Sequence, residues 1–367
     1  MKRRILTNAI QKRLSIVGFT VLSILLASVS LYGQPPAGER LVFYLDSNSH
    51  LHALFAPNGS GWTDVDITVT DQIPVATGAL TSFVDDYDDV WVDYLEDNNQ
   101  ICELVITGIS SSGFTGGEFV PTSVSGAPLP ASASQLTGLV DSNDNYIHVF
   151  YEGTNANVYE FYHSGPGYPP PTITFDDPTS FAKAPVAAYG SGLTSYIDLT
   201  SSIHYMHVNY LGTNQNVYEL LWDGGTKWYS NDLTSLAGAP VAASGSALTG
   251  FIDSTTQYMH VFYLGTNQNV YELVYSGGAI WISYDVTSTA GAPVAASGSA
   301  LTGFNKLVDV GDWGVHVMYL GTNGHVYALR IAATFSYFDA TAASGGGLPP
   351  ELVHVRIRQL SSARFPA

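Results

Sequence analysis

A histidine and a glutamate recur twelve residues apart at His148 and Glu160, His207 and Glu219, and His260 and Glu272, and a tryptophan follows nine residues later at Trp228 and Trp281. A carboxylate can accept hydrogen bonds from two neighbouring sugar hydroxyls, an imidazole can donate to a hydroxyl or ring oxygen, and an indole can stack on the apolar C–H face of a pyranose. These eight residues are the candidate carbohydrate-binding set. Each such bond contributes only about 0.5–1.5 kcal/mol net, so single sites would be weak and several on one scaffold would gain by avidity. The same residues also have a structural reading. A His paired with a Glu across a hairpin stabilises by roughly 0.2–1 kcal/mol, and a Trp in an outer strand packs the sheet. At this stage both readings stand.

The elements that must position these residues belong to a repeat. Met259–Leu273 nearly recurs at Met206–Leu220, and looser copies begin at Arg40, Val90, Ile147 and Val315. Anchored on His260, the equivalents are Leu41, Trp91, His148, His207 and His316, spaced 50, 57, 59, 53 and 56 residues apart. Twelve residues on, Glu103 joins the three glutamates above, while Ala53 and Ala328 stand in the outer units. At the tryptophan position the remaining units offer Trp62, Tyr168 one place early, Tyr337, and Ser112 with Phe114 nearby.

That period suits one four-stranded blade. Ala300–Phe304 and its relatives read as a first strand, His-Val-Phe-Tyr as a second, Asn-Val-Tyr-Glu-Leu as a third and Trp281–Asp285 as a fourth. The turn Leu264–Asn267 carries the Gly and Asn of a tight hairpin. Centring it on Thr266 sets His260 directly opposite Glu272. The linker Gly291–Ala295 suits a crossing between blades. The expected fold is therefore all-β, a six-bladed β-propeller of four-stranded antiparallel blades forming one domain over residues 34–367. A parallel β-solenoid, whose coils are usually shorter, is the competing architecture. The first unit starts at its second strand, so the alternating tail Leu352–Arg358 is expected to supply the missing strand and close the ring.

Residues 1–33 differ from the rest: Lys2, Arg3, Arg4, Lys12 and Arg13 precede the apolar run Ile16–Leu26 and the small residues Ala27–Ser30, the layout of a cleaved secretory signal peptide. Secretion, or a periplasmic or extracellular location, follows. An uncleaved signal would be the one route to a membrane, since no Cys follows the apolar run to carry a bacterial lipid anchor. Beyond residue 33 the chain holds 8 basic and 31 acidic residues, a net charge of −23. Such a surface repels phosphate backbones and excludes nucleic acid as a partner. The single cysteine, Cys102, forms no internal disulfide, so burial and strand pairing carry the stability.

No one-off catalytic constellation is visible. A glycosidase needs two carboxylates at a defined separation in one pocket, whereas the noticeable glutamates recur from unit to unit. There is no recognisable Ser/His/Asp setting, phosphate-cradling loop or metal-ligand spacing, so no catalytic residue, cofactor or metal is expected. Asp141–Asn145 has a faint calcium-loop look without the later Glu and reads as a polar turn. Asp85, Asp198 and Asp253 read as turn residues too. A non-catalytic, multivalent lectin whose partners are glycans is the leading function. A propeller scaffold for protein or cell-surface contacts and a glycoside-processing enzyme are the alternatives.

The aromatic-rich His-Val-Phe-Tyr strand, Gly/Asn turn, Val-Tyr-Glu and following Trp resemble the fucose-specific lectins of the Aleuria type. The resemblance spans nearly the whole chain after residue 36. It implies a six-bladed propeller that binds fucosylated glycans without catalysis, in pockets between adjacent blades. Glu103, Glu160, Glu219 and Glu272 match that family's sugar-gripping Glu, and Trp62, Trp228 and Trp281 match its Trp. His148, His207, His260 and His316 occupy the place of its Arg, with Trp91 and Leu41 in the other two units. A neutral imidazole lacks the charge and forked donors of Arg.

Overall fold

A computed structural model describes residues 28–29 and 40–343, apart from 57–62, 86, 88, 111–112, 120–126, 144, 166–171, 199–203, 254, 279, 308–311 and 333. The signal segment other than 28–29, the tail 352–358, Trp62 and Tyr168 lie outside the described residues. A short β1 (Ser28–Val29), within the expected signal segment, pairs in parallel with Thr81 and Ser82.

The remaining strands form six antiparallel meanders. Blade 1 has three described strands, β2 (Arg40–Leu45), β3 (Leu51–Ala56) and β4 (Thr63–Asp66). Blade 2 comprises β5 (Ala76–Val84), β6 (Val90–Glu96), β7 (Ile101–Ser110) and β8 (Gly113–Phe119), and blade 3 β9 (Leu136–Asp141), β10 (Tyr146–Glu152), β11 (Val158–Ser164) and β12 (Thr174–Asp176). Blade 4 holds β13 (Leu193–Asp198), β14 (Tyr205–Leu211), β15 (Val217–Trp222) and β16 (Trp228–Asp232). Blade 5 holds β17 (Leu248–Ile252), β18 (Met259–Leu264), β19 (Val270–Tyr275) and β20 (Trp281–Asp285), and blade 6 β21 (Leu301–Leu307), β22 (Asp312–Leu320), β23 (Val326–Ile331) and β24 (Ser336–Asp339). The first strands of blades 2 to 6 lie side by side in succession, which makes the architecture a six-bladed propeller.

Because neighbouring blades cover both faces of a sheet, the middle strands are buried in continuous runs. In β18 only Met259 is partly open. The hairpin between β18 and β19 is closed by the Gly265 N–H donating to the Asn269 carbonyl at 2.9 Å, and Gln268 takes the left-handed conformation at φ 62°. Its centre is thus Asn267, not Thr266. The register pairs His260 with Val274 and Phe262 with Glu272. His260 and Glu272 still share a face, because the slip is two residues, but they meet on the diagonal rather than directly opposite.

A short helix follows the outer strand of five blades: α1 (Ile67–Asp71), α2 (Pro178–Ala182), α3 (Leu233–Ala237), α4 (Val286–Ala290) and α5 (Ala340–Ala343). In the first four, an aspartate (Asp66, Asp177, Asp232, Asp285) caps the start by accepting a backbone N–H. Two residues on, Thr68, Thr179, Thr234 and Thr287 accept the N–H that opens the third strand, each at 2.8 Å. The linkers are also pinned by tyrosines, since the hydroxyls of Tyr94, Tyr151, Tyr210 and Tyr263 donate to the carbonyls of Pro74, Pro128, Pro185 and Pro240.

Blade meets blade along the first strands. Thr194 Oγ1 accepts the Gly250 N–H at 2.9 Å and Thr249 Oγ1 accepts that of Gly303 at 3.0 Å. Beside each bond an aromatic ring of one blade lies on a glycine of the next: a Cβ at Gly138, Gly250 or Gly303 would stand 2.2, 2.8 or 2.3 Å from the ring of Phe83, Tyr196 or Phe251. The Thr-Gly dipeptide is therefore a docking element. Gly303→Ala should cost about 1–3 kcal/mol through overpacking, read as a lower denaturant midpoint. Combining it with Phe251→Leu should cost less than the sum of the two single changes.

Candidate functional site

The docking rings also support the candidate histidines. Tyr196 stacks on His207 (5.0 Å, 15°), Phe251 on His260 (5.7 Å, 24°) and Phe304 on His316 (5.4 Å, 10°). In blades 4 and 5, and in blade 3 where His148 faces Leu139 instead of a ring, the imidazole Nδ1 reaches the carboxylate on the third strand. The distances to Oε1 are 2.6 Å for His148 and Glu160, 2.8 Å for His207 and Glu219, and 2.7 Å for His260 and Glu272. All three predicted pairs form.

Their openness differs. The His207 and His260 side chains are 5% and 6% exposed and their glutamates 4% and 1%. Glu219 is satisfied inside its own blade, because Asn231 Nδ2 donates to its second oxygen at 2.7 Å. Burial alone would raise the Glu219 pKa, but the hydrogen bond and charge of His207 and the Asn231 bond outweigh it and hold the group below its usual range. The His148 side chain is 12% exposed and lies in a cluster of partly open aromatics, stacked on Tyr162 at 5.6 Å with Tyr146 at 6.4 Å. Asp176 stands opposite Glu160 in the ladder. Burial, then the Glu160 charge, raises its pKa.

Trp228 and Trp281 are buried and do not complete these sets as expected. Trp228 packs edge-on against Phe150 of the preceding blade at 6.2 Å and against Trp222 of its own at 5.5 Å. Trp281 packs on Tyr275 at 5.5 Å and shares a core cluster with Tyr196 of the preceding blade. They are wedges between blades.

Glu103 has a different partner, which its own repeat could not reveal. Trp91 holds the histidine position of blade 2 and donates to Asp85 at 3.0 Å, so Glu103 is met by His163 Nε2 from blade 3 at 2.9 Å. His163 Nδ1 lies 2.8 Å from the Ser164 carbonyl, which can only accept, so Nε2 carries the lone pair. Burial pushes the Glu103 carboxyl up to about 8 and lowers His163. Asp93, fully buried opposite Glu103, is raised well above its usual value by burial and then by the Glu103 charge. A proton on Glu103 therefore donates to a neutral His163, with the Asp93 carboxyl opposite Glu103 on the neighbouring strand. The polar turns behave as expected: Asp85 Oδ1 accepts from the Tyr87 and Asp89 amides, Asp141 Oδ1 from Asn143 and Asp253 Oδ1 from Thr255.

Compared by sequence, the chain matches no protein-family model and no curated protein. Compared by structure, it is similar to AofleA from Arthrobotrys oligospora, with a TM-score of 0.58 at 12% identity over 86% of this chain and 88% of that one. It is equally similar to the fucose-specific lectin from Aleuria aurantia, at 0.58 and 15% identity over 86% and 95% of the two chains. The lectin SapL1, solved with alpha methyl fucoside, gives 0.57 and 15% identity over the same shares. At these identities the shared feature is the fold, and the structural resemblance is to the lectins that the sequence pattern suggested.

The Asp93–Glu103–His163 group yields a pH prediction. A carboxyl whose folded pKa is raised binds its proton more tightly in the native state, so its contribution is full below the unfolded value of 4.5 and is lost as pH rises towards about 8. His163, lowered from 6.5, acts in the opposite direction, and only below 6.5. Between pH 6.5 and 8 wild type should lose melting temperature relative to Glu103→Gln.

Proposed function

We propose that this protein is a carbohydrate-binding lectin that engages glycans at the His148–Glu160 pair of blade 3. The observation that carries the proposal is that His148 is the most open histidine of the three pairs, 12% exposed against 5% and 6%, with Tyr146 and Tyr162 beside it, although Glu160 is as buried as Glu219. A sugar seated there would take a hydroxyl bond to Glu160, a bond to His148 and apolar C–H packing on the tyrosine rings. Asp176, opposite Glu160 in the ladder, adds a second carboxyl group beside the pair that can accept from a sugar hydroxyl. The six-bladed fold supports the reading because the solved proteins that share it include lectins with fucosides bound. Fucose is accordingly the first sugar to test.

Export through residues 1–33 and more than one site per ring belong to the same proposal. His207–Glu219 and His260–Glu272 would join it by opening, the ligand replacing the hydrogen bond that now closes each pair. The burial of Glu219 and Glu272 in their own blades favours a second reading, a scaffold for protein or cell-surface contacts in which these pairs are struts.

A glycan array of the purified protein separates the two. Wild type should bind fucosylated or related glycans, and the nearly isosteric Glu160→Gln should weaken binding at least tenfold in a protein that still folds and melts cooperatively. Loss in Glu219→Gln/Glu272→Gln instead would move the sites to blades 4 and 5. No binding to any glycan by the folded protein would establish the scaffold reading.

A further inference from the structure

Blade 1 departs from the other blades at one corner, and two of the changes there occur together. In blades 3 to 6 the turn after the second strand opens with Gly153, Gly212, Gly265 or Gly321, and the ring of Tyr159, Tyr218, Tyr271 or Tyr327 lies so close that a Cβ on the glycine would stand 2.4–2.5 Å from it. The asparagine two residues after each glycine donates to that tyrosine hydroxyl. In blade 1 the glycine position is Asp46 and the tyrosine position is His52. The smaller imidazole leaves room for the carboxylate, and Asn48 donates to Asp46 instead, at 3.1 Å.

We propose that Asp46, His50 and His52 bind one divalent transition-metal ion of the zinc class. One ligand atom from each lies within 4.8 Å of the other two. His52 Nε2 is buried without a hydrogen-bond partner among the described residues, 3.7 Å from Oδ2 of both Asp46 and Asp66. That separation is too long for a hydrogen bond and close to the roughly 3.4 Å between two ligand atoms on a tetrahedral zinc. Both imidazoles are held by carboxylates at Nδ1. His50 Nδ1 lies 2.8 Å from Asp66 Oδ2, and His52 Nδ1 lies 3.1 Å from Asp64 Oδ1. A carboxylate on Nδ1 fixes the tautomer and leaves Nε2 as the basic ligand atom, the arrangement that surrounds protein-bound zinc. Asp46 is held in place by its turn: Oδ1 accepts the Asn48 and His50 amides, each at 2.8 Å, while Oδ2 accepts from Asn48 Nδ2 at 3.1 Å and faces His52.

The His50–Asp66 contact alone does not make the site. Its counterparts recur as Asn157, Asn216 and Asn269 bonded to Asp177, Asp232 and Asp285, and as His325 bonded to Asp339. What is particular to blade 1 is the Asp46 and His52 pair facing it. By sequence no metal ligand is expected; the three proposed here, Asp46, His50 and His52, all lie within one hairpin, with Asp64 and Asp66 of the neighbouring strand holding the imidazoles.

The test is equilibrium dialysis of the full chain, without a histidine tag, against zinc chloride, with metal measured by mass spectrometry. Wild type should retain one zinc per chain, and His325→Asn should retain the same. Asp46→Gly/His52→Tyr installs the residues that four other blades carry. It should keep the metal-free melting temperature within a few degrees and bind zinc at least tenfold more weakly. Asp46→Asn, nearly isosteric, should also weaken binding at least tenfold. No stoichiometric zinc on wild type, or equal zinc on the double variant and on Asp46→Asn, would overturn the assignment.

Discussion

The contact on which the structure depends is the approach of one blade's first strand to the next, an aromatic ring laid on a glycine beside a threonine hydroxyl that accepts that glycine's N–H. Each part needs the others. Without the glycine the ring could not approach, as the 2.3 Å gap between a Gly303 Cβ and Phe251 shows. Without the threonine a buried amide would lack a partner, at a cost of about 1–3 kcal/mol. Formed in full between blades 4 and 5 and between blades 5 and 6, and with Ser195 in place of the glycine between blades 3 and 4, where Thr137 Oγ1 accepts its N–H at 3.0 Å, this contact sets the spacing of those neighbouring blades. Its two faces are coupled, because the ring that meets the next blade also stacks on its own blade's histidine.

That coupling holds the histidines of blades 4 and 5, whereas His148, opposite Leu139, stacks on Tyr162 instead. An imidazole held flat between a docking ring and the blade interior has one edge free to reach a neighbouring strand. The diagonal glutamate is the group within reach. A buried hydrogen-bonded pair contributes only about 0.5–1.5 kcal/mol net, yet leaving one partner unsatisfied costs about 1–3 kcal/mol. Such a pair is therefore retained once installed. Its edge is reachable only where the surrounding side chains leave it open. Blade 3 has Tyr162 where blades 4 and 5 have Leu221 and Val274, and its histidine is the most exposed of the three pairs.

Much of this was legible in the sequence because repetition amplifies weak signals. One Val-Tyr-Glu means little, but at a period near 55 residues it fixed the blade count, the strand order and the pairing of His with Glu. The errors came from what repetition does not encode. The hairpin register was misplaced by two residues because the turn holds an extra left-handed residue at Gln268, and a Gly and Asn alone do not say where its centre lies. The tryptophans were grouped with their own unit because sequence order is not blade adjacency. The short helices were missed although each of the first four carries a visible mark, an Asp followed two places later by Thr. Glu103 was matched correctly as a repeat position, but its partner His163 lies in the next blade, and only packing could show it.

A repeat protein also supplies its own reference state. Where six copies share a hydrogen-bond plan, a single substitution away from it is ordinary drift, since the surrounding fold absorbs it. A compensated pair is different. At the corner of blade 1 neither change is neutral alone: a side chain on the glycine collides with a tyrosine ring, and a histidine in place of the tyrosine removes the hydroxyl that the turn asparagine uses in the other blades. Together they remove the collision and replace a closed, self-satisfied turn with three carboxylates around two imidazoles. Blade 2 shows the contrasting outcome at the same two positions, Glu96 and Cys102, where the chain fills the corner with a buried thiol and the turn asparagine Asn98 bonds to the carboxylate at 2.9 Å. The blade scaffold tolerates both solutions because its strength lies at the inner strands, so the outer turns are the places where one repeat can differ from the next without loosening the ring.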